Sequence, residues 1–181
     1  MMCSAIPNAL TTLRLILAPL VCYFACERMY VWATCAFWVA SVSDFFDGYL
    51  ARKLHCESLF GRVVDPVADK LLTLCSYIPL RAEFSYLFLL VILRDVGILS
   101  GIGVLRFLRI KITIAPSVVS KVNTGFVLLF PFVWLCQKSF GFKGDVALIW
   151  LAGIIVITTI LSTIGYAVTF AKTIRNNARR R

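Results

Sequence analysis

The chain has 181 residues, of which 60% are hydrophobic and 15% charged, with a formal net charge of +10. Soluble domains carry about 25% charged residues, and so short a chain cannot bury this much apolar surface by itself. A water-soluble enzyme is therefore excluded. So is nucleic-acid binding, because the basic residues are divided among loops and a tail instead of lining one face.

Six apolar runs follow one another, at about 7–27, 30–50, 64–82, 84–107, 114–136 and 145–171. Each approaches or exceeds the roughly 20 residues a helix needs to cross a bilayer. The sequence thus predicts an all-α integral membrane bundle of six transmembrane helices, forming one domain over residues 1–181.

The first run opens with IPNALTTLR, where Asn8 or Thr11 is placed to cap its helix. The second ends in Asp44 and Asp47, and the third begins with Asp65, Asp69 and Lys70. Arg94 and Asp95 lie well inside the fourth, so they should face the bundle interior, pairing with other helices or holding a substrate phosphate. Before the fifth run, Pro116 suits a first helical turn whose exposed N–H groups favour anions. Ser117, Ser120, Lys121 and Thr124 then follow at helical spacing, a plausible phosphate cradle. The bland reading of that face is a snorkelling lysine with hydroxyls bonded back to the helix.

Loop charges set the orientation. Arg52, Lys53, Arg62, Arg106, Arg109, Lys111 and the tail from Lys172 to Arg181 fall on one side; Arg28, Arg81, Lys138 and Lys143 fall on the other. The positive-inside rule then places both termini and the aspartates in the cytoplasm. The N-terminus lacks an Arg-rich transit character, which leads to the expectation of a bacterial inner membrane. The seven cysteines form no CxxC pair, and His55 has no ligand partner at metal spacing.

The chemistry gathers in SDFFDGYLARKLHCESLFGRVVDPVADK, which holds Asp44, Asp47, Asp65 and Asp69. Each pair sits three or four residues apart and so shares a helix face. The segment KLHCESLFGRVV is long enough to turn the chain back, letting the pairs face each other. Four carboxylates at a membrane boundary repel one another unless cations sit between them. Oxygen-rich sites suit two hard ions, Mg²⁺ or Mn²⁺, and a diphosphate substrate. Gly48 and Ala51 keep the helix face free of bulk, and Gly61 can do the same from the loop. A structural salt-bridge network with Arg52, Lys53, Arg62 and Lys70 is the alternative.

The pattern Asp44-x2-Asp47-Gly48-x2-Ala51-Arg52-x8-Gly61-x3-Asp65-x3-Asp69 resembles, at all eight positions, the signature of the CDP-alcohol phosphatidyltransferases. That resemblance implies phospholipid synthesis: a CDP-linked lipid bound on two divalent ions, with CMP released as a phosphodiester forms. It implies that Asp44, Asp47, Asp65 and Asp69 hold the metals and that Asp69 also takes the proton from the acceptor hydroxyl. Asp47, Gly48, Ala51, Arg52 and Gly61 would line the CDP-lipid site, and a homodimer is implied.

The acceptor is read from the second half. Glycerol-3-phosphate enzymes typically continue with a segment like REFLVSGLR; here Arg94 is kept but Ile102 stands where a second arginine is expected. The stretch from Pro116 to Thr124 resembles the PxxxSKxNT segment of CMP-forming cardiolipin synthases. The sequence therefore favours phosphatidylglycerol as acceptor, its phosphate held by Arg94, Ser120, Lys121 and Thr124. Phosphatidylglycerophosphate synthase, using glycerol-3-phosphate, is the alternative, since Arg106 or Arg109 can replace the missing arginine. A UbiA-type prenyltransferase spaces its motifs differently, and a cation transporter would need acidic groups at mid-membrane on several helices.

Overall fold

A computed structural model describes residues 5–54, 59–107 and 118–178. Its described residues contain helices only: α1 (Ala5–Cys26), α2 (Tyr30–Leu54), α3 (Leu59–Tyr77), a 3-10 turn (Pro79–Ala82), α4 (Ser85–Phe107), α5 (Val118–Phe140) and α6 (Asp145–Ala178). Among the described residues, three segments are long and apolar enough to cross a membrane by length and composition: Ala9–Cys26, Val118–Phe140 and Asp145–Ala171. Large side chains such as Trp32, Trp38, Leu93, Trp150 and Ile157 are exposed, as lipid-facing residues are.

Two expected boundaries move. α1 starts at Ala5, with Pro7 in a first turn where its missing N–H costs nothing, so Thr11 is an interior residue and not a cap. α3 starts at Leu59, so Gly61 is helical and not part of a long loop. Leu59, Phe60, Val63 and Val64 already have the periodicity of an amphipathic turn.

The described residues form two compact units. One comprises Met1–Glu83 with Pro131–Gly144, the other Phe84–Phe130 with Asp145–Arg181. The division inside α5 falls at Pro131, which cannot donate to the helix ladder.

In the first unit, small residues let helices approach closely. Ala18, Val21 and Ala25 of α1, Ala33 and Ala40 of α2, and Ala68 of α3 are buried. Phe37 stacks on Phe132 at 6.0 Å, and Tyr30 meets Trp134 edge-on at 5.8 Å. Glu83 accepts from Trp134 Nε1 at 2.9 Å and Lys138 Nζ at 2.6 Å. In the second unit, Leu87, Val91, Val127, Leu148, Ala152 and Ile155 are buried, and Phe84 meets Phe130 edge-on at 5.1 Å.

The turn after α1 closes with two backbone bonds, Arg28 N to Ala25 O at 3.2 Å and Met29 N to Phe24 O at 2.8 Å. Arg28 stands at the left-handed position, φ 61°, where glycine is usual. Arg28→Gly should raise stability by about 1 kcal/mol by removing the side-chain clash of that conformation. A lower thermal midpoint in detergent would contradict this.

Candidate active site

α1 carries a continuous buried stripe of Thr11, Arg14, Ala18, Val21 and Ala25, spaced at three and four residues. The last three are apolar packing; the first two are not. Arg14 is 0% exposed and Thr11 1% exposed. A guanidinium taken out of water needs charged partners and hydrogen bonds, or its desolvation is uncompensated.

Those partners come from α2 and α3. Arg14 Nη1 lies 2.6 Å from Asp44 Oδ1 on α2 and donates to Asp69 Oδ1 on α3 at 2.8 Å. One turn earlier, Thr11 Oγ1 donates to Asp65 Oδ1 at 2.6 Å. The aspartates prolong the buried stripes of their own helices: Ala33, Phe37 and Ala40 lead to Asp44, and Asp65 precedes Ala68 and Leu72. Packing of the apolar stripes therefore delivers the carboxylates to α1. The side chains of Asp44 and Asp69 remain 45% and 54% exposed, gripped from the buried side and open to solvent.

The expected meeting of carboxylates from α2 and α3 is thus found for Asp44 and Asp69, and Asp65 is held on the same helix, α1. The side chains of Asp47, Gly48, Ala51, Arg52 and Gly61 lie outside the described ones, although all five positions are helical. Among the described residues no three acidic, histidine or cysteine groups form a ready-made metal cage. Oxygen donors of Asp44 and Asp69, drawn toward one point and partly exposed, nevertheless suit a hard divalent ion.

A second polar cluster lies in the second unit. Arg94, buried on α4, donates Nη2 to Ser120 Oγ on α5 at 3.0 Å, and its Nη1 lies 3.2 Å from Asp95 Oδ1. Ser120 Oγ is 3.2 Å from Tyr166 OH on α6. Asn123, fully buried, accepts at Oδ1 from Thr158 at 2.7 Å and Thr159 at 3.0 Å. Arg94 and Ser120 of the expected phosphate set are therefore together.

Lys121 and Thr124 are not part of that cluster. The buried stripe of α5 runs Ser120, Asn123, Val127 and Phe130, and Lys121 stands about 100° around the helix from Ser120. Thr124 is exposed and bonds back to the Ser120 carbonyl at 3.0 Å, the bland outcome for a helical hydroxyl. The Arg106 side chain, Arg109, Pro116 and Ser117 lie outside the described residues.

Sequence reasoning did not assign Thr11, Arg14 or Tyr166 to either cluster. The signal for Arg14 was present: it is the one charge within Ala5–Cys26, a turn after a hydroxyl.

A family profile, that of the CDP-alcohol phosphatidyltransferases, matches residues 4–171. The chain belongs to that family. It is an enzyme of phospholipid synthesis, and its apolar helices are those of a membrane protein. A protein of Aquifex aeolicus named CDP-diacylglycerol–glycerol-3-phosphate 3-phosphatidyltransferase is 36% identical, over 68% of this chain and 71% of its own length. A protein of the same name from Rickettsia bellii is 32% identical, over 85% of this chain and 90% of its own length. A Schizosaccharomyces pombe fusion protein, named cardiolipin synthase (CMP-forming) / mitochondrial hydrolase, is 32% identical over 94% of this chain. The match spans only 32% of that fusion protein.

Thr11→Val keeps the shape of the α1 stripe but removes its bond to Asp65. A stability loss of about 1 kcal/mol is expected, read from thermal unfolding in detergent. An unchanged midpoint would mean the hydroxyl carries no weight.

Proposed function

We infer that the chain transfers the phosphatidyl group of CDP-diacylglycerol to the hydroxyl of a phosphate-bearing alcohol and releases CMP. The family match over residues 4–171, with all eight motif positions in place, carries this reading. Asp44, Asp47, Asp65 and Asp69 are the groups that would hold Mg²⁺ or Mn²⁺. Ions bound there supply charge neutralisation to the diphosphate and to the departing phosphate. Gly48, Ala51 and Gly61 leave room for the nucleotide, and Arg52 supports its phosphates. The acceptor oxygen bonds to the phosphatidyl phosphorus, the bond from that phosphorus to the CMP oxygen breaks with its electron pair, and the hydroxyl proton passes to Asp69. An aspartate is a weak base for an alcohol, so orientation must supply much of the acceleration.

Glycerol-3-phosphate is the acceptor that the relatives favour, since the Aquifex and Rickettsia proteins carry it in their names. This reverses the order suggested by the sequence alone. Phosphatidylglycerol remains as a second reading, supported by the Schizosaccharomyces relative and by Ile102 at the expected arginine position. In either reading the acceptor phosphate is assigned to Arg94 with Ser120. Six spans, one domain, cytoplasmic termini and paired chains in a bacterial inner membrane complete the proposal, supported by the basic loops and the family resemblance.

Purified protein supplied with CDP-diacylglycerol and either acceptor should release CMP with glycerol-3-phosphate. Release with phosphatidylglycerol alone selects the second reading, and release with neither overturns both. Asp69→Asn should lower kcat by about 10²–10⁴-fold while CDP-lipid binding persists. Ser120→Ala should raise KM for the acceptor and leave KM for CDP-diacylglycerol unchanged; an equal rise in both would remove Ser120 from the acceptor site.

A further inference from the structure

Arg14 is a positive charge built into the acidic cluster itself. Its guanidinium is fully buried, and one nitrogen, Nη1, is shared between Asp44 Oδ1 at 2.6 Å and Asp69 Oδ1 at 2.8 Å. Those carboxylates come from different helices and are about half exposed. A helix-borne arginine cannot leave for bulk water without unpacking the stripe of Ala18, Val21 and Ala25 on which it is mounted. Lys70, also on α3, is exposed.

We propose that Arg14 is a positioning residue that acts as an internal counter-ion: it holds Asp44 and Asp69 together and competes with divalent ions for their charge. The proposal rests on the metal reading above. Two effects of removing Arg14 oppose each other, and their sizes decide the sign. Without it the carboxylates lose a tether, but each already rides on a packed helix and keeps its approximate place. The same change deletes a full charge at hydrogen-bonding distance from both, and charge pairs at such separations are strong even at an effective dielectric constant of about 20. Half-exposure reduces that strength without cancelling it. The charge effect is the larger, so loss of Arg14 tightens ion binding even as it weakens the ion-free fold.

A role confined to holding helices together predicts the opposite. Removing a structural tether would lower stability equally with and without ions, and ion affinity would fall or stay put. The two roles therefore separate in a binding measurement, with no need for turnover or for knowledge of the acceptor.

The test uses the full chain in detergent, with Mn²⁺ as probe and free Mn²⁺ read by electron paramagnetic resonance. Arg14→Gln is expected to bind Mn²⁺ about tenfold more tightly than the parent chain. Its melting point should drop without Mn²⁺ and recover in part at saturation, giving a larger Mn²⁺-induced shift than the parent shows. Arg14→Lys keeps the charge and should hold Mn²⁺ affinity within about threefold of the parent. Unchanged or weaker Mn²⁺ binding in a folded Arg14→Gln protein overturns the proposal. Should that variant not fold, Arg14→Lys still decides: an affinity change beyond about tenfold would assign Arg14's effect to geometry and not to charge. A parent chain that binds no Mn²⁺ overturns the metal reading and this inference together, whereas binding with no tightening in Arg14→Gln overturns this inference alone.

Discussion

A buried guanidinium dictates how the first three helices meet. Arg14 sits more than two turns inside an apolar helix with no exposure to water. Its desolvation cost falls away only when negative charge is brought to it, and α2 and α3 each bring one carboxylate. The converse holds for the aspartates. Asp44 and Asp69 repel each other across the α2–α3 gap, and the arginine turns that repulsion into mutual attraction to a shared nitrogen. Charge compensation and helix packing therefore act together in this unit.

The second unit meets the same difficulty with weaker means. Arg94 is buried and its side chain reaches Asp95, its own neighbour in sequence, so that ion pair adds little to tertiary structure. What joins the helices there is hydrogen bonding to neutral acceptors: Arg94 to Ser120, Ser120 with Tyr166, and Asn123 with Thr158 and Thr159. Such bonds contribute about 0.6 kcal/mol each on average within membranes. A cluster of this kind can be rearranged around a ligand at modest cost, whereas the Arg14 cluster cannot.

The sequence exposed whatever depends on spacing along the chain. The eight motif positions, the helix count and the burial of Arg94 follow from periodicity and from the cost of charge in lipid. What escaped was phase and pairing. Lys121 and Thr124 share a broad face with Ser120 on a helical wheel, but only the position of α4 and α6 decides where the buried stripe ends. Thr11 read as a cap because the apolar run begins near it, yet Pro7 lets the helix start earlier. Arg14 drew no assignment, since nothing within one helix says that carboxylates of two later helices, Asp44 and Asp69, will reach it.

Placing the carboxylates at the ends of apolar stripes has a functional consequence. Ala33, Phe37 and Ala40 on α2 and Ala68 and Leu72 on α3 are rigidly packed, so the aspartates that extend these rows inherit fixed positions. Their outer sides stay open because the stripe stops there. A site assembled in this way is preorganised by hydrophobic packing as well as by the Arg14 ion pairs. Strong local charge is therefore held there by helices that are already packed in place.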